Sequence, residues 1–261
     1  MNTNTTAAAP QAADLLRPVR ILLKETQYEL ARLLRTRAFS LSVMGIPVML
    51  YLLFGLANRG TGAALYLIAG YSCMGLVSSC LFGIGIGLAL DRTQGWLDLK
   101  RASPMPAFAF LGAKVVGCAA FGLIIAMVLM MIGNALGGVT LGLSQAGALA
   151  AVVVAGAIPF AAMGFLLALL VPPSAGPAVI NLIYLPLCFA SGFWMPLSML
   201  PHWLQGLAPL LPTYHLGQIA FAAVGLPARG GMALHWGVLG AFTLLMMGAA
   251  WITFSRSETR A

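Results

Sequence analysis

Six stretches of this chain are each about twenty or more residues long, strongly apolar and free of acidic residues: about 38–57, 63–90, 107–132, 145–171, 176–195 and 232–254. An α-helix needs about 20 apolar residues to cross the roughly 30 Å of hydrocarbon in a bilayer. The pattern therefore predicts an all-α polytopic membrane protein with six transmembrane helices. Composition agrees. Hydrophobic residues make up 61% of the 261 and charged residues only 8%, where a soluble domain carries roughly a quarter charged. The mean hydropathy is +0.95. What remains outside the spans is too short for a second globular domain, so residues 38–261 read as a single transmembrane domain.

The net charge of +8 first invites a nucleic-acid partner, but the placement of the charges argues otherwise. All the basic residues except Arg59 and Arg229 fall in the N-terminal segment, in 91–114 or in the C-terminal tail. Cytoplasmic flanks of membrane helices are enriched in Lys and Arg, and no continuous basic stripe suits a nucleic acid. Both termini and the 91–106 loop are thus expected in the cytoplasm, with 134–144 and 196–231 outside. Trp194, Trp203 and Trp236 then lie near the outer boundary, and Trp96 and Trp251 near the inner one, as aromatic belts would place them.

Residues 1–14 are small and polar and are expected to be disordered. In 15–37, Leu15, Leu16, Val19, Leu22, Leu23, Leu30, Leu33 and Leu34 recur at helical spacing, with Arg17, Arg20, Lys24, Glu25, Arg32 and Arg35 between them. That pattern predicts an amphipathic interfacial helix; a solvated leader helix is the other reading. Pro47 is expected to kink the first span. Gly83 and Gly87 provide the G-x-x-x-G spacing of close helix packing. The 207–224 stretch is apolar but broken by Pro209, Pro212, His215 and Gln218. It reads as short re-entrant outer helices between spans 5 and 6, because a seventh crossing would put the basic tail outside.

Chemistry-bearing residues are few. Lys114 is the charge set deepest in an apolar run, and snorkelling to the inner headgroups is its expected behaviour. His202, His215 and His235, spaced by 13 and 20 residues without an H-E-x-x-H, read as polar boundary residues rather than zinc ligands. Cys73, Cys80, Cys118 and Cys188 all sit in apolar runs without a C-x-x-C pair. No G-x-x-x-x-G-K-[ST] phosphate loop and no G-x-S-x-G occurs, and no acid sits at the centre of a span. A catalytic site is not expected. An ion-coupled carrier, which commonly uses intramembrane ionisable groups, is disfavoured, and a non-transporting scaffold stays open as the alternative from another class. The loop 91–106 interleaves Asp91, Arg92, Gln94, Asp98, Lys100 and Arg101 with Trp96, Leu97 and Leu99. Two readings stand for it: a docking helix for a soluble partner, or a basic turn held at the lipid surface.

Two segments give the chain a resemblance to a known family. D-R-x-x-G-x-L-x-L-x-R-x-S-P-M-P runs from Asp91 to Pro106, followed by a helix containing Gly112, Ala113 and Lys114. S-G-F-W-M-P-L-S-M-L-P-x-W-L-Q runs from Ser191 to Gln205, followed by A-P-L-L-P-T-Y-H. In these features the chain resembles the type 2 membrane subunits of ATP-binding-cassette (ABC) exporters, the daunorubicin-resistance and nodulation-factor permeases among them. Asp91 stands where that family usually has Glu. The resemblance implies a permease in a bacterial inner membrane that pairs with a second copy or a paralogue. It also implies a separate cytoplasmic ATPase that binds ATP and Mg, this chain holding no cofactor itself. Asp91, Arg92, Gly95, Trp96, Leu97, Asp98, Lys100 and Arg101 would then couple to the ATPase, with Glu25, Glu29 and Arg32 as further contacts. Phe193, Trp194, Met195 and Leu200 would form an outer gate. Asn181, Tyr184, Ser191 and Tyr214 would line a pathway for a moderately hydrophobic or lipid-like solute, although bonding between helices explains the same four residues. Substituting Arg92 and Arg101 is expected to uncouple ATP hydrolysis from export while the protein still reaches the membrane. Export measured in cells and hydrolysis measured in membranes test this, and unchanged export overturns it.

Overall fold

The computed structural model describes residues 17–95 and 107–258; the expected disordered tail at 1–14 and most of the 91–106 loop lie outside them. Every regular element described is helical. Helix α1 is Arg17–Arg35. Four long helices follow, α2 (Arg37–Gly55), α3 (Gly62–Thr93), α4 (Ala107–Ala135) and α5 (Leu143–Leu170). Then come the shorter α6 (Gly176–Ala190), α7 (His202–Leu207) and α8 (Pro212–Ala223), and the long α9 (Met232–Glu258).

Five of these helices are long and apolar enough to cross a membrane: α2 to α5 and α9. The fifth apolar run, expected to span as far as residue 195, departs from this. Its helix α6 stops at Ala190 after 15 residues, about 22 Å at 1.5 Å per residue. The chain turns at Gly192, whose φ of +81° suits a residue without Cβ, and Pro196 follows. The Ser191 and Thr213 hydroxyls bond there, fastening the broken segment to α8. Hydropathy continues past Ala190, so sequence alone merged helix and turn into one span. The re-entrant reading of the next stretch holds as local structure, since α7 and α8 are short and ten of the twelve residues of α8 are buried.

The bundle is built around α3. Eighty-three per cent of its most apolar stretch is buried within the chain, against 22% for α2 and 11% for α9. Helices α2, α4, α5, α6 and α8 all touch it. Pro47 sits inside α2, and the last turn of that span, Tyr51–Gly55, widens to a π-helix. A second π segment, Leu81–Ile86, interrupts α3; such insertions re-aim the side chains that follow them. Gly83 serves the packing between spans that its spacing implies: a Cβ there would stand 2.9 Å from Cys118 Sγ of α4, with the Leu33 side chain of α1 next at 3.4 Å. Gly87 seats α1 instead, since a Cβ there would stand 2.6 Å from the Arg32 guanidinium.

At the opposite end of α3 a Cβ at Gly70 would lie 2.6 Å from the Phe193 carbonyl oxygen, a backbone atom with no freedom to retreat. Gly70→Ala is therefore expected to destabilise the bundle by about 1–3 kcal/mol through overpacking. Thermal unfolding in detergent, alongside Gly248→Ala at an open position as the reference, checks this.

Candidate functional site: a charge cluster and its adjoining cavity

The amphipathic pattern of α1 is used to pack it along the first half of α4. Leu22 lies against Gly112 and Glu29 against Gly117, where an added Cβ would meet the Glu29 side chain at 2.9 Å. Leu33 is buried in the main core. The contact brings two charges of α1 over the ends of two spans. Asp91 comes from the last turns of α3 and Lys114 from the second turn of α4.

Lys114 does not snorkel to the surface; only 1% of its side chain is exposed. Its Nζ donates to Asp91 Oδ2 at 2.7 Å and lies 3.5 Å from Glu29 Oε1. It also stands 4.9 Å from the centre of the Phe110 ring, within the range of a cation–π contact. Arg32 completes the cluster. Its Nη2 donates to Glu29 Oε1 at 2.5 Å, and its Nη1 stands 3.9 Å from Asp91 Oδ1. Burial works against the Arg32 charge, but Glu29 and Asp91 outweigh it and raise its pKa. Two cations thus face two carboxylates and the group is formally neutral. An ammonium taken out of water needs this, because an unpaired buried charge costs several kcal/mol. The pairs join α1, α3 and α4 by charge-assisted bonds, so α1 cannot shift without moving the ends of both spans.

A cavity of about 540 Å³ opens beside the cluster, and Arg32 stands in its wall. Apolar side chains such as Phe39, Val43 and Phe82 dominate the lining, with Ser42 and the pathway candidates Asn181 and Tyr184 as polar points. The Tyr184 hydroxyl donates to the Met74 carbonyl at 3.3 Å, which fixes α6 against α3. Of the four pathway candidates, the structure gathers only these two. Ser191 and Tyr214 lie in the other half of the molecule, Ser191 on the Thr213 hydroxyl and Tyr214 against two histidine rings.

The gate candidates also sit in that half. Phe193 is fully buried, against Gly70 and Gly217. Leu200 belongs to a small separate core with Leu197, Ala208 and Tyr214. Trp194 packs edge-on to Phe189, and with Met195 it borders a second cavity of about 250 Å³. The coupling candidates divide as well. Glu29, Arg32 and Asp91 turn inward to Lys114, and Arg92 donates to the Leu169 carbonyl at 3.4 Å. Glu25 lies half-buried on α1, and Gly95 ends the described part of the loop. Trp96, Leu97, Asp98, Lys100 and Arg101 lie outside the described residues. Sequence reasoning missed Lys114 as the centre of the cluster. The available signal was a lysine two turns into a span with glycines on either side, at positions 112 and 117.

Comparison with known proteins places this geometry in a family context. Residues 23–224 match the model of the family described as "ABC-2 type transporter". The match runs from the middle of α1 to the end of α8 and so contains the cluster, the cavity and the broken helices. A relative from Bacillus subtilis (strain 168), named "Putative transport permease YvfS", is 26% identical over 217 residues, covering 81% of this chain and 86% of the relative.

Removing the buried ammonium should expose how much the cluster contributes. Lys114→Met leaves Glu29 and Asp91 to share Arg32 as their one cation, and a loss of about 3 kcal/mol is expected, at the low end for a broken buried pair because Arg32 remains and Asp91 keeps some solvent contact. Thermal unfolding in detergent measures it, and pairing the change with Asp91→Asn should return part of the loss.

Proposed function

The chain belongs to the ABC-2 type transporter family, and from that premise we propose that it is the permease half of an ATP-driven exporter moving a moderately hydrophobic or lipid-like solute outward. The family implies an ATP-binding-cassette ATPase as partner, and ATP and Mg are assigned to that subunit. A second permease copy or a paralogue completes the pathway. The sparsely buried α2, with Leu41, Met49, Leu53 and Phe54 exposed, supports such pairing. The bacterial inner membrane with cytoplasmic termini remains the placement favoured by the basic flanks.

One observation carries the reading: α1 is ion-paired to the ends of α3 and α4 where the chain enters the 91–106 loop. An ATPase pressing on that loop would pull on Asp91, and through Lys114, Glu29 and Arg32 it would tilt α1 and α4 as one unit. The adjoining cavity, walled by α1, α2, α3 and α6, would change shape with that movement. Its apolar wall with a few hydroxyl and amide groups suits a drug-like solute first and a lipid-linked glycan second. Beside the cavity the buried cation Lys114 is neutralised by two carboxylates, which supports a mechanical link to an ATPase there over an ion-binding role.

Affinity purification of the tagged protein in mild detergent tests the proposal. A stoichiometric soluble ATPase is expected to travel with it and to be lost when residues 91–101 are replaced. Recovery of the chain alone, with ATP trapped or absent and in several detergents, would overturn the reading in favour of a carrier or scaffold.

A further inference from the structure

At the end of the bundle away from the charge cluster, two histidines read from sequence as boundary residues meet in the interior. His215 of α8 and His235 of α9 are 3% and 1% exposed. Their Nδ1 atoms stand 2.8 Å apart. Each ring's other nitrogen faces a backbone carbonyl: His215 Nε2 stands 2.9 Å from the Pro209 oxygen, and His235 Nε2 stands 2.8 Å from the Arg229 oxygen. Turning either ring over would put carbon against its carbonyl and lose both of its bonds.

The proton count follows from the partners. A carbonyl oxygen only accepts, so each Nε2 must carry a hydrogen. If both rings are neutral, both Nδ1 atoms then present lone pairs to each other at hydrogen-bond distance, which is repulsive. One further proton between them satisfies every nitrogen. Three protons on two imidazoles make one imidazolium and one imidazole, with a net charge of +1. The spacing also fits a shared proton better than a shared metal ion: two nitrogens bound tetrahedrally to one zinc, at about 2.0–2.1 Å each, stand about 3.3 Å apart.

We propose that His215 and His235 form a proton-binding site, taking up one proton from solution to share between their Nδ1 atoms and so clasping α8 to α9. Burial weighs against the added charge, so the proton is held by the three hydrogen bonds it completes rather than by a counter-charge. Tyr214 presents its ring edge-on to both imidazoles, with centroids 5.3 and 6.2 Å away. Gln218 accepts from the Arg229 backbone N–H at 2.7 Å, which fixes the segment carrying the second carbonyl. The Arg229 guanidinium is the charged side chain on the connecting segment before α9. Among the described residues the acids are Glu25, Glu29 and Asp91 at the charge-cluster end and Glu258 at the far end of α9, so no carboxylate here takes the place of the proton.

The clasp bears on the candidate gate. Helix α8 carries Thr213, bonded to Ser191, and Gly217, whose absent side chain admits the Phe193 ring. Losing the shared proton sets two lone pairs against each other and loosens α8 against α9, with the Phe193 ring packed on α8 at Gly217. The clasp is closed on the acid side of the transition and opens as pH rises.

The site can be read by solid-state NMR on the full-length protein in lipid nanodiscs, with 15N-labelled histidine and His202→Gln to leave two imidazoles. Between about pH 5 and 8, the range where histidine ordinarily titrates, three ring protons are expected at the acid end. A through-bond Nδ1–Nδ1 correlation should accompany them, and one proton should be lost as pH rises. Two ring protons throughout, or two independent transitions reaching four, would overturn the site. Spin labels at Leu210→Cys and Leu234→Cys, both exposed while all four native cysteines are buried, report on the clasp. Their separation should change with the NMR transition, and a constant distance across it would overturn the coupling. Neither readout involves transport, so failure here is distinct from failure of the permease reading.

Discussion

Helices that meet inside lipid gain little from the hydrophobic effect, because the hydrocarbon they leave is as apolar as the neighbour they join. Close packing and satisfied polar groups must hold them instead, and in this protein both converge on α3. Its glycines let backbones and large side chains approach: the Phe193 carbonyl at Gly70, Ile125 at Gly75, Arg32 at Gly87. Its serines bond within the helix, and Ser79 also donates to the Cys118 carbonyl of α4 at 3.0 Å. The outer spans α2 and α9 are left with broad apolar faces. Such faces are ordinary against lipid and useful against a second subunit.

The two polar clusters differ in what they permit. At one end, Lys114 with Glu29, Asp91 and Arg32 is balanced in charge and joins three helices. A balanced cluster is insensitive to which neighbour moves first and transmits displacement as a unit, which suits a mechanical link between a cytoplasmic motor and the spans. At the other end, the His215–His235 pair is complete only with one proton more than two neutral rings hold. A site of that kind responds to its surroundings instead of merely passing on motion. The two are separated by the length of α3, and the cavity beside Arg32 belongs to the first.

Much of the architecture was legible in the chain. The Leu and Arg spacing of 17–35 appears as α1, and the interrupted 196–231 stretch appears as short helices. The family likeness carried by 91–106 and 191–215 agrees with the family match. Errors arose where periodicity and hydropathy carry no distance information. Residues 191–195 are as apolar as a span, yet Gly192 turns the chain after Ala190. Lys114 looked like a charge seeking the surface because its partners lie 85 and 23 residues away in sequence, at Glu29 and Asp91.

What the sequence determined by itself is the phase in which each segment lives: long uncharged runs in lipid, charged flanks at the water boundary, broken apolar helices between. That follows because transfer into hydrocarbon depends on composition over about 20 residues and hardly on tertiary neighbours. What only the tertiary structure decided is which polar groups meet. Whether Gly87 receives a span, as Gly83 does at Cys118, or an arginine-bearing interfacial helix depends on distances between residues far apart in the chain. So does whether two histidines 20 positions apart face lipid headgroups or one another. Hydrogen bonds and ion pairs act over about 3–4 Å, and only the folded bundle brings their partners that close.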